Sequence, residues 1–290
     1  MSEVDWDRTV FMLLAPDAVA RHLTTTIVDR VERLGFRPVA WRVLWHRPVD
    51  LDAFHERNIA HSWQTYLYRL VDQLFAYGPT VALLVRDERD ERDERTSHAR
   101  LREAKGASDP ADAGPGTIRG DLRSINIMLA LVHSADDPEA SARESGVFGR
   151  DLFHTGDPAE LRTTLALLDL GTPQEQRGYG EVLAGVRSRL VAAVWDDLTP
   201  PSRARAAELV AGGVPALAAP KAGAQLADLL GAGHPLDAVL RADFTPDNPG
   251  PDLARVAPLL RVHGTDLDRW EELVLATSRR FPPRGVAENL

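Results

Sequence analysis

The residues best suited to chemistry stand in the stretch from Gly106 to Asp121 and in the segment that follows it. This stretch is rich in glycine and proline and carries Arg119, while His133 lies shortly downstream. An arginine fork can hold phosphate oxygens while an imidazole attacks phosphorus. The pattern therefore predicts a site that handles phosphate groups.

Composition limits the classes of protein that this chain can belong to. Its 290 residues, of which 44% are apolar, are enough for more than one packed core, so we expect two domains. The absence of cysteine excludes disulfides, thiolate metal sites and cysteine nucleophiles. A net charge of -9 argues against broad binding to nucleic acid or to anionic membranes. With no leader-like start and no apolar run of about 20 residues, we expect a cytoplasmic protein.

The elements of the first half predict the scaffold that positions the site. Apolar runs of strand-forming residues alternate with segments in which apolar residues recur at helical spacing. This order is typical of an α+β, ferredoxin-like antiparallel sheet with helices packed on one face. Strands are predicted at Thr9–Leu14, Phe36–Leu44, 80–85 and 124–131, and helices at 17–34, 51–75 and 138–144.

The segment from Arg86 to Arg95 contains three copies of Asp-Glu-Arg and has no apolar face. We interpret it as a solvated insertion that forms a charged turn or a short helix with salt bridges.

The second half changes to an all-helical pattern, which predicts domains at 1–150 and 151–290. Asp157 and Pro158 predict the start of a helix that Gly171 ends, and 172–175 resembles a capping box opening a longer helix toward Leu198. Two further amphipathic helices are indicated around 256–260 and 267–274. No motif in this half suggests chemistry.

Three segments of the first half together resemble the nucleoside diphosphate kinase family. They are the stretch Val10 to Arg21, the loop from Gly106 to Asp121, and His133-Ser-Ala-Asp-Asp-Pro-Glu, in the family's order and at nearly its spacing. The most specific part is Asp-Pro-Ala-Asp followed by Pro-Gly-Thr-Ile-Arg-Gly-Asp, within the loop. The resemblance covers about the first half of the chain.

The resemblance implies a reaction and a set of site residues. The family moves the γ-phosphoryl group of a nucleoside triphosphate such as ATP to a nucleoside diphosphate through a phosphohistidine. It also implies Mg²⁺ bound with the nucleotide, and a homo-oligomer. By position in the motifs, His133 matches the nucleophile, Glu144 its acidic partner, Arg102, Ser108 and Arg119 the phosphate contacts, and Tyr66 the aromatic residue that stacks on the base.

The chain also departs from the family pattern at four site positions. Ala15 replaces a phosphate-binding lysine, Ala130 replaces an asparagine, Ala135 replaces a serine near the histidine, and Asn58 replaces a tyrosine of the nucleotide site. One residue is added between Asp121 and His133. The resemblance therefore implies that fewer side chains contact the triphosphate, while the nucleophile and both arginines are retained.

Two functions remain open at this point. One is a divergent phosphotransferase that forms phosphohistidine and accepts another phosphate-bearing small molecule. This function is supported by the retention of His133, Arg102, Arg119 and Ser108. The other is a module that binds a nucleotide or phosphate without turnover, with the helical half regulating it or binding a partner. Arg119 has an alternative role as well, in which it pairs with Asp121 and only fixes the loop.

Overall fold

The computed structural model describes residues 4–56, 65–89, 95–231 and 233–284. The chain divides into two compact units, one of Met1–Ser124 and Met128–Gln176, the other of Ile125–Ile127 and Arg177–Leu290. The first unit thus extends beyond residue 150, and the domain boundary expected there stays a prediction.

A four-stranded antiparallel sheet organises the first unit, which confirms the ferredoxin-like prediction. The strand order is β2-β3-β1-β4, so β1 is central and β4 lies at an edge. All six residues of β1 are buried, as its apolar sequence requires. The strands are β1 (Thr9–Leu14), β2 (Phe36–Leu44), β3 (Thr80–Asp87) and β4 (Val132–Ser134).

Helices cover this sheet and place the loops at its ends. Ile27 and Val31 pack with Val10 and Met12 of β1 in the main core, and Leu161 joins them from a later helix. The helices of this unit are α1 (Pro16–Ala20), α2 (Thr24–Arg33), α3 (Pro48–Phe54), α4 (Thr65–Tyr77), α5 (Ser97–Lys105), α6 (Ile118–Asp121), α7 (Pro138–Val147) and α8 (Pro158–Leu170).

Two of the predicted helices are divided. The helix expected over 17–34 is interrupted after Ala20, because His22 adopts a positive φ of 54° that no α-helix contains. The helix expected over 51–75 is interrupted after Phe54, where His55 is the C-cap residue of α3, and Thr65–Tyr77 forms α4.

The fourth strand predicted at 124–131 is wrong. That segment is irregular, and the strand is the three-residue β4 that follows it. Leu131 has a φ of 68°, which breaks an extended conformation, and Leu129 is buried within a bend. The apolar side chains of this segment hold a buried loop in place. The sequence pattern of such a loop is indistinguishable from that of a short strand, which explains the wrong prediction.

The capping box predicted at 172–175 is also wrong, because Thr172 and Glu175 form hydrogen bonds with other parts of the chain. The hydroxyl of Thr172 donates to Leu168 O at the end of α8, and the N–H of Glu175 donates to Ala20 O at 2.7 Å. The next helix instead begins at Tyr179, after Gly178.

The second unit is helical in the part that is described, as expected. Leu183, Leu190 and Val194 are buried in its core, and the two predicted amphipathic helices are confirmed. No helix among the described residues is both long enough and apolar enough to span a bilayer. The helices are α9 (Tyr179–Ala193), α10 (Pro200–Ala211), α11 (Gly213–Ala218), α12 (Pro220–Asp228), α13 (Asp237–Arg241), α14 (Leu253–Val262) and α15 (Arg269–Ser278).

A buried serine links α7 to the central strand. The hydroxyl of Ser141 accepts from Phe11 N at 3.0 Å and shares a hydrogen bond with His98 Nε2 at 2.9 Å. We expect Ser141→Ala to lower the free energy of unfolding by about 1–3 kcal/mol, since two buried polar groups lose their partner. Denaturant titration measures this loss.

Ser145→Ala is the matched control on the same helix. Ser145 is equally buried, but its hydroxyl only donates to Ala142 O one turn away. We expect a smaller loss, below about 1 kcal/mol. Equal losses in the two variants would contradict the structural role given to Ser141.

Candidate functional site

His133 and Glu144 meet at the edge of the sheet. Strand β4 carries His133 and helix α7 carries Glu144, and His133 Nε2 lies 2.8 Å from Glu144 Oε2. Arg143 Nη2 donates to the other carboxylate oxygen at 3.0 Å. The Glu144 side chain is 8% exposed and that of His133 is 39% exposed. The pair combines a fixed, buried carboxylate with an imidazole that solvent and ligands can reach.

This geometry leaves one ring nitrogen of His133 available. When Nε2–H donates to Glu144, the neutral imidazole carries its lone pair on Nδ1. Nδ1 makes no hydrogen bond to another residue that the structure describes. A lone pair on an accessible nitrogen, with the other nitrogen oriented by a carboxylate, is the arrangement that a nucleophilic imidazole needs.

Aromatic rings surround His133 on its other side. Phe54 contacts the imidazole edge-on, with the ring centres 5.0 Å apart, and Phe148 packs on Phe54. Two further histidines adjoin this group, and burial lowers the pKa of His46 and of His55 to about 4. Both are therefore neutral at pH 7. Sequence reasoning missed Phe54, because an apolar residue at the end of a helix carries no signal beyond packing.

Arg119 is buried and holds three backbone segments together. Its Nε donates to Ala130 O at 3.1 Å, and its Nη2 donates to Val132 O at 2.7 Å. Its Nη1 donates to Gly106 O at 3.0 Å and to Ser108 Oγ at 2.9 Å. Burial lowers the pKa of Arg119 to about 10, so it stays charged at neutral pH. In this conformation the guanidinium fixes the loop to β4.

The loop itself requires glycine at its start. Gly106 has a φ of 84°, and a Cβ there would lie 2.6 Å from Thr117 Oγ1. Asp121 pairs with Arg30 at 2.7 Å and accepts from Gly116 N at 2.9 Å. The alternative pairing of Arg119 with Asp121 is therefore wrong, because Arg119 fixes the loop through carbonyl groups.

The other predicted site residues are placed as follows. Arg102 lies in the last turn of α5 and is exposed, and Ser108 is exposed beside Arg119. Tyr66 lies in α4, although the structure does not describe its side chain. Asn58 lies outside the described residues.

The three alanines that depart from the family pattern offer only methyl groups. Ala135 is fully buried, Ala130 is 8% exposed, and Ala15 precedes α1 as its N-cap residue. Within the described ranges, no three His, Asp or Glu side chains converge in a way that could hold a metal ion.

Arg119 yields a prediction about stability. Arg119→Lys replaces a planar guanidinium with a single ammonium. One ammonium cannot donate hydrogen bonds to all four oxygen atoms that Arg119 binds. We expect the free energy of unfolding to fall by about 2–4 kcal/mol, and amide hydrogen exchange in the loop to accelerate. The exposed Arg123, with Arg123→Lys, is the control and should change stability by less than about 0.5 kcal/mol. Equal effects would contradict the role described for Arg119.

Comparison with known proteins places the first half of the chain in a family. The family model for nucleoside diphosphate kinase matches residues 7–152, about half of the chain. A nucleoside diphosphate kinase of Archaeoglobus fulgidus is 32% identical over 141 residues, which cover 49% of this chain and 85% of that protein. One of Streptomyces avermitilis is 35% identical over 139 residues, covering 47% and 92%.

A solved nucleoside diphosphate kinase structure, from Encephalitozoon cuniculi, covers 53% of this chain and 98% of its own. It is 20% identical, with a TM-score of 0.44. The match to the family model begins before β1, includes His133 and ends beyond α7. Through this region, the chain belongs to the nucleoside diphosphate kinase family.

Proposed function

We propose that this protein is a divergent phosphotransferase that transfers a phosphoryl group through a phosphohistidine at His133. The observation that carries the proposal is the contact of His133 Nε2 with the buried carboxylate of Glu144 at 2.8 Å. This contact directs the lone pair of the neutral ring to Nδ1.

In the proposed reaction, Nδ1 of His133 attacks the γ-phosphorus of a nucleoside triphosphate. The N–P bond forms while the bond from phosphorus to the bridging oxygen breaks, and the nucleoside diphosphate leaves with that electron pair. The ring becomes positively charged, and Glu144 stabilises this charge through its hydrogen bond to Nε2–H. In the second step an oxygen of the acceptor attacks the same phosphorus while the N–P bond breaks. The electron pair of that bond returns to Nδ1, which restores neutral His133.

Positive charge near the site supports binding of the phosphate groups. The exposed guanidinium of Arg102 is free of the backbone contacts that occupy Arg119, so we assign to Arg102 the direct contact with phosphate oxygens. Ser108 offers a hydroxyl at the same loop. We assign Tyr66 and Asn58 to the nucleoside end of the ligand. Mg²⁺, carried in on the nucleotide, would neutralise charge on the phosphate oxygens.

The substitutions around His133 support an altered substrate. Ala15, Ala130 and Ala135 present no hydrogen-bond donor beyond the backbone, so a triphosphate gains fewer contacts there. We propose a different or smaller phosphate-bearing acceptor, and we propose that the protein is cytoplasmic and forms a homo-oligomer.

The second candidate is a binding module without turnover. It is supported by the hydrogen bonds of Arg119, whose side-chain nitrogens already donate to acceptors within the protein. In that case the helical half would regulate the bound state or meet a partner.

Labelling with γ-³²P nucleoside triphosphate separates the two functions. We expect the pure protein to take up label that is acid-labile and base-stable, and His133→Ala to take up none. His154→Ala is a matched control, because His154 Nε2 also lies 2.8 Å from a carboxylate, that of Glu160, on the surface. His154→Ala should label like wild type. If wild-type protein takes no label from any nucleoside triphosphate, transfer from nucleotides is wrong and binding without turnover remains.

Ala15→Lys tests how far the cleft has diverged. An ammonium at the end of β1 adds a charged contact to phosphate, and we expect transfer of label to a nucleoside diphosphate to rise at least about tenfold. Ala207→Lys adds the same charge at an exposed position of the second unit and should leave the rate unchanged. A rate that does not respond to Ala15→Lys would mean that the cleft fits another ligand.

A further inference from the structure

The chain holds a buried lysine beside its phosphate site. Only two of its 34 basic residues are lysine, Lys105 and Lys221. Lys221 is exposed, whereas Lys105, the last residue of α5, is 7% exposed. Burial of an ammonium is costly unless nearby groups compensate its charge, so the surroundings of Lys105 are informative.

The backbone of β4 explains where this lysine is held. Ala135 N donates to Phe11 O, and His133 pairs with Leu13 in the same antiparallel register. In such a ladder alternate residues direct their backbone groups to the neighbouring strand. Val132 and Ser134 therefore direct their carbonyl groups to the other side, which is the edge of the sheet.

Two cationic side chains donate hydrogen bonds to these carbonyl groups at the edge of the sheet. Arg119 Nη2 donates to Val132 O at 2.7 Å, and Lys105 Nζ donates to Ser134 O at 3.4 Å. The two acceptors belong to the residues immediately before and after His133. Lys105 and Arg119 thus bind the backbone on either side of His133, at the edge of the sheet.

Four charged groups act on Lys105, and they lie on α5, on α6, on α7 and in the segment after β4. Burial is the largest influence and lowers the pKa of Lys105 to about 8. Arg119 on α6 and Arg102 on α5 lower it further, whereas Asp136 after β4 and Glu144 on α7 raise it. Lys105 is therefore charged below about pH 8 and neutral above it, and an added anion nearby would favour the charged form.

We propose that Lys105 is a positioning residue for His133, which holds the edge of β4 and offsets the negative charge of a phosphoryl group carried on that histidine. This inference rests on the proposed function. Its chemical basis is that lysine, unlike arginine, is a compact charge that can lose its proton in the working range of pH. Phosphorylation of His133 and protonation of Lys105 then favour each other.

The first experiment follows Lys105 directly. Lysine labelled with ¹³C at Cε gives two NMR signals from this chain, and Lys221 serves as the internal reference. Phosphoramidate donates its phosphoryl group to an imidazole nitrogen and releases ammonia, so it forms phosphohistidine without a nucleotide. We expect the pKa of Lys105 to rise by about 1 or more when ³¹P NMR shows phosphohistidine, with Lys221 unmoved. His133→Ala treated in the same way should leave Lys105 unchanged.

The outcomes separate the two proposals. Phosphohistidine without a change at Lys105 overturns this inference and leaves the proposed function intact. No phosphohistidine from phosphoramidate or from any nucleoside triphosphate overturns both.

The second experiment compares labelling rates by γ-³²P nucleoside triphosphate from pH 6 to 10. We expect wild type to exceed Lys105→Met roughly tenfold below pH 8 and to approach it above pH 8. Lys105→Arg keeps its charge and should match wild type below pH 8 and exceed it above. Lys221→Met should equal wild type throughout. Rate ratios that do not vary with pH would mean that Lys105 only packs, and would overturn the inference.

Discussion

The first unit depends on the hydrogen bonds of one buried guanidinium. Arg119 binds carbonyl groups at Gly106, Ala130 and Val132, which belong to the start of the loop, to the segment before β4, and to β4 itself. A three-residue strand at a sheet edge has few ladder bonds of its own, so this tie contributes much of its position. The placement of His133 follows, because it is the central residue of that strand.

The predictable part of the fold is the part that local pattern determines. β1, β2 and β3 were visible as apolar runs, and α7 was visible from Asp137, whose side chain caps its first turn. The meeting of His133 with Glu144 was expected from family motifs. These features depend on short stretches of sequence whose side chains face one core.

The parts that could not be predicted depend on partners distant in sequence. The segment 124–131 has strand-like composition, yet the backbone turns at Leu131 and its N–H binds the buried carboxylate of Asp17. The burial of that carboxylate raises its pKa to about 6, a cost that no local pattern reveals. Likewise, the motif showed that Arg119 was special but did not show that its donors are directed at carbonyl groups. Lys105 gave no signal at all, because a lysine at a helix end is ordinarily a surface residue.

Under the proposed function, the three cations Arg119, Arg102 and Lys105 differ in the contacts that a ligand must displace to reach them. A phosphate that took Arg119 from its carbonyl acceptors would leave buried C=O groups without donors, at a cost comparable to what the new contact gains. Arg102 is exposed and carries no such cost, so it is the cation best placed to exchange solvent for phosphate. Lys105 lies between these cases, because its charge acts on the site while its single 3.4 Å bond holds it loosely. In the proposed function, ligand charge therefore acts on the edge of β4 through Lys105. A change of substrate at Arg102, by contrast, does not require Arg119 to release the carbonyl groups that hold this strand.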